Sequence, residues 1–589
     1  MTRSRRNFSL ALAIAAALVV GACTTVPTTS APTVIRPIAE NPPPVVCAPA
    51  QGGAPRNIVA AFLNCNGKND PNHNGARQFL TTEERPHWSD SSATIIDFAT
   101  PSNLAHHRIV VSGREIGTID DSGAYIPALR GDGTGTGGLL VKQSIGLQKI
   151  KGKWRISSLS RQGLLIDAQQ FQLYQQRALY FFDASNQHLV PDPRYTQMSA
   201  PGQLANWLVN GLADAPRGGP QSGLQSALPN QTGPTASIST KLSSDGKLIK
   251  IEIPGAAQLS ASTLNRLAAQ IAQTLAQVSP IEGIEITDGG VPVRIPSGQN
   301  GTIFNLSNLS SGFGVDVTGV APDLYYVRGG GVYDALGQRV HGKVGSGSYG
   351  LNSVALRAGP DGTTNDLLVA GVRGAGAKQY LDIGTPAQLF PTKLSGDLSR
   401  PAWAPNAPEA WVGSGQHLFR VTWPSQTVRT VPVDVPEGVA SGTIIAVRLS
   451  PDGSRVALVL RSNARPHTSQ VYVGGVVRTG SDVRVTNLTP ISPQAIKVND
   501  VAWNDQLKLF VIGTNLITNS WGLWEVQCDG SLWTLRSNFG LPQAPGSLTV
   551  ASGSVAVVSA GDTVWRQQAG SWEPLGVEDT HGTNPIYNE

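Results

Sequence analysis

The sequence predicts a multidomain, mostly β protein in which an N-terminal α+β domain and a second α+β domain precede a C-terminal β-propeller of five or six blades. Three observations carry this expectation. The chain has 589 residues, which at roughly 150 residues per domain leaves room for several cores. It holds 65 Gly and 41 Pro but only 2 Met, a composition that favours turns and strands over long helices. Short segments also recur near its end: Val354-Ala355-Leu356, Pro401-Ala402-Trp403, Val447-Arg448-Leu449, Val501-Ala502-Trp503 and Leu548-Thr549-Val550. Their middle residues are 47, 46, 54 and 47 positions apart, the length of one four-stranded blade.

The chain opens with an export signal over residues 1–22. Arg3, Arg5 and Arg6 form a basic stretch, Leu10 to Val20 an apolar run, and Val20-Gly21-Ala22-Cys23 follows directly. An apolar run of about a dozen residues is too short to span a bilayer, which takes about 20. The small residues Gly21 and Ala22 suit a signal peptidase cleft, and the segment resembles the lipobox of bacterial lipoproteins, with Cys23 as the lipid attachment residue carrying diacylglycerol and palmitate. The pair Arg5-Arg6 also matches a twin-arginine signal, so both export routes stay open. Residues 23–46, rich in Thr and Pro and containing Pro42-Pro43-Pro44, have too few apolar groups to pack and read as a tether.

The formal charge is +5, but 45 − 3 = 42 cations against 40 acids remain once Arg3, Arg5 and Arg6 are set aside. With no dense basic run interleaved with aromatics, no nucleic-acid partner is expected. Beyond Cys23 there are three cysteines, and export makes pairing feasible. Cys47 and Cys65 are the candidate disulfide, and Cys528 reads as a small core residue. No Cys-x-x-Cys occurs, and no metal site is expected.

Three bodies follow the tether. Residues 47–176 begin with Ile58, Val59, Phe62 and Leu63 at helical spacing, then a short helix from Ala76 to Leu80, and continue in alternating stretches such as Lys153-Trp154-Arg155-Ile156-Ser157 that read as strands. Residues 177–300 start with the strand Ala178–Phe182. They then carry a helix with Leu204, Trp207, Leu208 and Leu212 on one face, and a second, capped by Ser260 or Ser262, with Leu264, Leu267, Ile271, Leu275 and Val278. Leu248–Ile253 and Gly283–Thr287 supply further strands. The Leu228-Pro229 turn and the Ala268-Ala269-Gln270-Ile271 helix make this body similar to the GerMN domain, a module that brings no established catalytic motif.

Residues 301–578 form the propeller, followed by a tail over 579–589. Leu449-Ser450-Pro451-Asp452-Gly453-Ser454-Arg455-Val456-Ala457 resembles the strand-turn-strand unit of TolB-like repeats, and Pro360-Asp361-Gly362 repeats its turn. Nine of the 12 Trp lie beyond residue 400, as side chains that wedge between blades would. A degenerate blade is expected around Gly319-Val320-Ala321-Pro322. Too few residues follow Leu548 for another full blade, so a strand over about 303–318 is expected to close the ring.

The order of lipobox, tether, α+β domain, GerMN-like domain and propeller resembles the actinobacterial lipoprotein LpqB family along essentially the whole chain. Lys153-Trp154-Arg155-Ile156, Gly163-Leu164-Leu165 and Leu179-Tyr180-Phe181-Phe182 support it. The resemblance implies a membrane-anchored, extracytoplasmic accessory protein that binds the extracytoplasmic domain of a membrane sensor kinase, MtrB-like, in envelope and cell-division homeostasis. It implies no cofactor beyond the lipid on Cys23 and no catalytic residue.

Gly133–Gly138 and Gly345–Gly350 match Gly-x-Gly-x-x-Gly, but neither joins a strand to a helix as phosphate cradling needs, and both read as loops. His106 and His107 would point to opposite faces of a strand and cannot readily share a metal. Asp361, Asn365 and Asp366 lack the ligand spacing of a calcium loop. There is no Gly-x-Ser-x-Gly or His-Glu-x-x-His. The alternative to a binding protein is an envelope carbohydrate or peptidoglycan hydrolase or lyase that uses the propeller funnel.

Overall fold

In the first domain the helix Pro55–Asn66 begins with Pro at its first turn, where the missing N–H is no loss, and buries Ile58, Val59, Phe62 and Leu63. These pack on a sheet whose path runs Lys153–Leu159, Leu140–Ile150, Arg108–Ile119, Ala93–Ile96 and Leu164–Asp167. Only the last pair is parallel. Phe62 meets Phe79 and Trp88 at ring-centroid distances of 6.2 and 5.7 Å. The second helix spans Asn74–Arg77 rather than 76–80, because Leu80 leaves it to bridge Ile156. The computed structural model describes residues 47–49, 53–68, 70–104, 107–128, 138–213, 223–229, 238–298, 301–307, 322–359, 367–435, 442–463, 468–537, 540–575 and 581–588. The export signal, lipobox and tether lie outside them, as do His106, the loop from Gly133 to Gly137, Gly319 to Ala321, Pro360-Asp361-Gly362, Asn365 and Asp366.

The second domain orders its strands as Ser239–Leu242, Leu248–Glu252, Gly283–Asp288 and Val291–Pro292. Helices Pro201–Ala213 and Ala261–Leu275 supply its apolar layer through Leu204, Leu208, Leu212, Leu264, Leu267, Ile271 and Leu275. Ser260 is the cap of the second helix, accepting the Thr263 amide. The strands Gln175–Phe182 and Leu189–Thr196 stand apart as a two-stranded hairpin. All eight residues of Leu189–Thr196 are buried, although a lone hairpin has no core of its own.

The C-terminal region is a ring of six antiparallel sheets. The five recurring segments centred on Ala355, Ala402, Arg448, Ala502 and Thr549 lie on or at the end of the first strand of blades 2 to 6. Those strands are Leu351–Ala358, Ala402–Trp403, Gly442–Leu449, Ile496–Trp503 and Ser547–Thr549. Each neighbours the next, so they line the centre of the ring. The Trp403 and Trp503 indoles each donate 3.1 Å to a carbonyl of the preceding blade, at Ala355 and Arg448. In Pro451-Asp452-Gly453 the Asp452 carboxylate accepts Ser450 Oγ and Ser454 N, while Gly453 takes φ +68, which a Cβ would strain.

Three expectations are corrected. Residues Ser547–Pro574 do form a complete four-stranded sixth blade, because its strands are only three to six residues long. Closure does not come from 303–318: Ile303–Asn305 adds to Gly283–Asp288 in the second domain. The supposed tail closes the ring instead, Thr583–Tyr587 pairing with Leu324–Arg328 to complete a first blade with Gly331–Asp334. That pairing joins the two ends of the propeller by backbone hydrogen bonds and removes a free edge at the seam.

Candidate functional site

Lipobox residues Val20, Gly21, Ala22 and Cys23 fall outside the described residues. Cys47 and Cys65 are bonded to one another with their Cα atoms 5.9 Å apart, and Cys528 is a buried free thiol. The two cysteines join the start of the first domain to its first helix. His107, at φ +59, lies against Trp154 with ring centroids 4.9 Å apart. Gly345–Gly350 follows a four-residue helical turn and leads into a strand, the reverse of a phosphate cradle. Among the described residues no three His, Cys, Asp or Glu converge as a metal site, and no helix is long and apolar enough to cross a membrane.

The propeller centre holds a cluster that sequence reasoning missed. Asp500, on the inner strand of blade 5, accepts Arg400 Nη1 at 2.6 Å and Arg448 Nη2 at 3.2 Å from both oxygens. It also accepts the amides of Val501 and Leu548, each at 2.9 Å. Arg400 reaches onward to the Pro585 carbonyl at 2.8 Å in the closing strand. One buried carboxylate thus links blades 3, 4, 5 and 6, and Arg400 carries the link on to blade 1. A general base needs a lone pair open to substrate, and here both oxygens are engaged by donors of the ring itself. A signal was present in the repeat: Arg448 occupies the position held by Ala355, Ala402 and Ala502 in other blades.

A second cluster sits where the hairpin strand Leu189–Thr196 meets its neighbours. Towards the first domain, Tyr195 N donates 2.8 Å to the Gly123 carbonyl, and the Tyr195 ring packs with Phe171 and Tyr125 at 5.3 and 6.3 Å. Towards the propeller, Tyr195 Oη and Ser531 Oγ are 2.5 Å apart and Arg455 Nη2 donates to the Pro191 carbonyl. Gln176, on the partner strand, donates 2.9 Å to Gln527. Within the strand Arg194 Nη1 pairs with Asp192 at 2.6 Å, both side chains being buried. The propeller groups lie at strand ends and the turn between them: Arg455 begins the strand Arg455–Ser462, Gln527 ends Ser520–Gln527, and Ser531 follows it.

Burial dominates the electrostatics of this junction. Desolvation pushes the Asp529 carboxyl up to about 6, and raises Asp192 as well. It also pushes the Tyr195 hydroxyl well above its ordinary value, with Asp529 adding to the rise. The Cys528 thiol is raised by the same burial, which makes it a poor nucleophile. Asp529 Oδ1 accepts the Ser531 amide at 2.9 Å, while Oδ2 finds no donor among the described residues. Beside this junction lies a cavity of about 300 Å³ lined by Gln176, Tyr180, His188, Asn406, Asp505 and Lys508 among others. Asp505 Oδ1 there already accepts the Leu507 and Lys508 amides, both at 2.8 Å. The arrangement fastens three domains together at one strand.

Comparison with known proteins agrees with the three bodies. Residues 48–172 match the family model described as Lipoprotein LpqB, N-terminal domain. Residues 178–294 match the Germane model, described as sporulation and spore germination, and 330–588 match the Lipoprotein LpqB beta-propeller domain. The chain is 28% identical over 534 residues to Lipoprotein LpqB of Rhodococcus jostii, covering 85% of this chain and 83% of that one. It is 26% identical over 532 residues to Lipoprotein LpqB of Corynebacterium jeikeium, covering 86% and 84%. A putative TolB from Agrobacterium tumefaciens is a structural neighbour at 12% identity and TM-score 0.30, covering 45% of this chain and 90% of that chain. Over most of its length the chain is thus similar to the LpqB lipoproteins, and its first domain and propeller are matched by the two LpqB family models.

Proposed function

We propose that this protein is a lipid-anchored, extracytoplasmic accessory protein that docks on the extracytoplasmic domain of a membrane sensor histidine kinase, MtrB-like, and supports it in envelope and cell-division homeostasis. The observation that carries this reading is the use to which the interior polar groups are put. Asp500, Arg400 and Arg448 at the propeller centre, and Asp192, Arg194 and Arg455 at the domain junction, engage the fold itself. What remains for recognition is the loop surface of a propeller held to two further domains, a scaffold suited to a protein partner. Diacylglycerol and palmitate on Cys23 keep it beside that partner, so modest affinity suffices at high local concentration.

The test is binding of the purified chain to the immobilised extracytoplasmic domain of the sensor. Saturable binding that loop substitutions weaken while the fold is kept is the expected result. Absence of measurable affinity, together with cleavage of envelope glycans by the same preparation, overturns the reading in favour of a hydrolase or lyase. In cells, Cys23→Ala should abolish radiolabelled palmitate incorporation and stable membrane association. Unchanged incorporation would refute the anchor.

A further inference from the structure

The first domain exposes a cluster of large apolar side chains that its own core does not use. Phe98, Ile116, Ile126, Leu139 and Leu140 are 65, 40, 48, 58 and 52% exposed. Other exposed large hydrophobics, such as Leu336, Leu516 and Ile517, belong to the propeller.

Sheet register brings the five together. Leu140 is the cross-strand partner of Arg114, and Ile126 that of Thr118, on the same edge of strand Arg108–Ile119. Between them the Ala128 amide bonds the Ile116 carbonyl and the Glu115 amide bonds the Leu139 carbonyl. Asp97 N bonds the Arg114 carbonyl, which sets Phe98 at the opposite edge of the same stretch. Ile109, Val111 and Ile119 of this strand point to the core, so the alternate positions, Ile116 among them, face away from the helices. The patch spans about five residues of strand and its neighbours, roughly 15–20 Å. Lys142, partner of Ser112, is exposed at its border.

We propose that this patch is a membrane-contact surface, by which the first domain rests on the lipid bilayer that holds its anchor. The proposal rests on the reading of Cys23 as the lipid attachment residue. The chain itself argues for the bilayer as occupant. From Cys23 to Cys47 there are 24 positions of tether, which as a flexible coil span roughly 27 Å on average and at full polyproline extension about 70 Å. The first domain directly follows that tether in the chain, so a weak apolar surface on it operates at high local concentration near the bilayer. An interface of lipid accepts an apolar patch without a shaped counterpart, and an exposed Lys at the border can meet headgroup phosphate. Membrane association that combines an acyl anchor with a second contact is stronger than either alone.

The test uses the full lipidated protein reconstituted in phosphatidylcholine–phosphatidylglycerol vesicles. Cys47 and Cys65 are joined, Cys528 is buried and Cys23 would be acylated, so an introduced surface cysteine is selectively labelled. An environment-sensitive fluorophore is placed at Leu140→Cys, and in a second variant at Leu336→Cys on the propeller, a site 84% exposed. Flotation with the vesicles reports the anchor; quenching by doxyl-labelled lipid reports the patch. The expected result is flotation of both variants, with about twofold quenching at position 140 and none at 336. Flotation without quenching at 140, or with equal quenching at both positions, overturns the proposal while leaving the anchor standing. A label untouched by lipid but shielded from iodide once the sensor domain is added assigns the patch to that partner and also overturns it. Failure to float refutes the anchor, and the membrane contact with it.

Discussion

The two buried acidic clusters solve the same problem in opposite ways. At the propeller centre, Asp500 meets two guanidiniums and two backbone amides, and every oxygen is engaged. At the domain junction, Asp529 is also buried, but the Ser531 amide bonds only Oδ1, Oδ2 has no donor among the described residues, and burial raises its carboxyl to about 6 against the lowering effect of the Ser531 and Tyr195 hydroxyls. The difference teaches where this molecule is fastened hard and where it gives. A fully paired carboxylate ties blades that need not part, whereas a poorly paired one leaves the junction carrying a desolvation penalty that protonation relieves.

The largest effect should come from breaking the first cluster. Asp500→Ala removes the carboxylate that Arg400 and Arg448 share and should destabilise the propeller by about 3–5 kcal/mol in urea unfolding. A loss below about 1 kcal/mol would mean that the ring does not depend on this link. Next comes the disulfide. Changing Cys47 and Cys65 together to Ser, a separation of 18 residues, should lower the stability of the first domain by about 3 kcal/mol. Both thiols found free by mass spectrometry of a non-reduced native digest would sink this expectation.

The junction carboxylate should respond with the opposite sign. Asp529 titrates at 3.8 ordinarily and at about 6 in the fold, so the folded state holds its proton more tightly. Its contribution is fully present below about pH 4 and is lost as pH rises through about 6, a total change of about 3 kcal/mol. Asp529→Asn should therefore stabilise the protein at pH 7 by about 2 kcal/mol and flatten the dependence between pH 4 and 7. An Asn variant less stable than the native chain at pH 7 would show that the Asp529 charge is needed. Smallest is Tyr195→Phe, which removes the hydrogen bond to Ser531 but keeps the ring against Phe171 and Tyr125. A loss of about 1 kcal/mol is expected, read as earlier separation of the second domain from the propeller in hydrogen exchange.

Much of the fold was legible because its signals are local and periodic. Leu264, Leu267, Ile271 and Leu275 announce one buried helix face, and Pro451-Asp452-Gly453 announces a tight turn. The recurrence of segments like Val354-Ala355-Leu356 announces the inner strands of the blades. The central cluster was half legible, since Arg448 breaks a run of alanines at the repeat position. Its partner could not be chosen, because Asp500 lies 52 residues away and other acids lie closer in sequence.

Other features contradicted the local pattern. Leu189-Val190-Pro191-Asp192-Pro193-Arg194-Tyr195-Thr196 has two prolines and two charged residues, types that suit sheet edges, yet all eight residues are buried. Three domains converge on the strand: Gly123 and Arg455 bond its backbone and Ser531 its Tyr195 hydroxyl, while Asp192 and Arg194 pair with each other. The last residues looked like a tail because Thr583-Asn584-Pro585-Ile586-Tyr587 has no sequence neighbour to pair with.

By itself the sequence determined the order of the three bodies, the helix faces and the strands that repeat, since each depends on spacing along a few residues of backbone. Only the tertiary structure decided that Thr583–Tyr587 closes the ring against Leu324–Arg328, that Asp500 is shared by two arginines, and that Asp529 is left poorly paired. Those outcomes depend on which surfaces meet across hundreds of residues, where the pairing that wins is set by burial and by the available donors rather than by any short-range pattern.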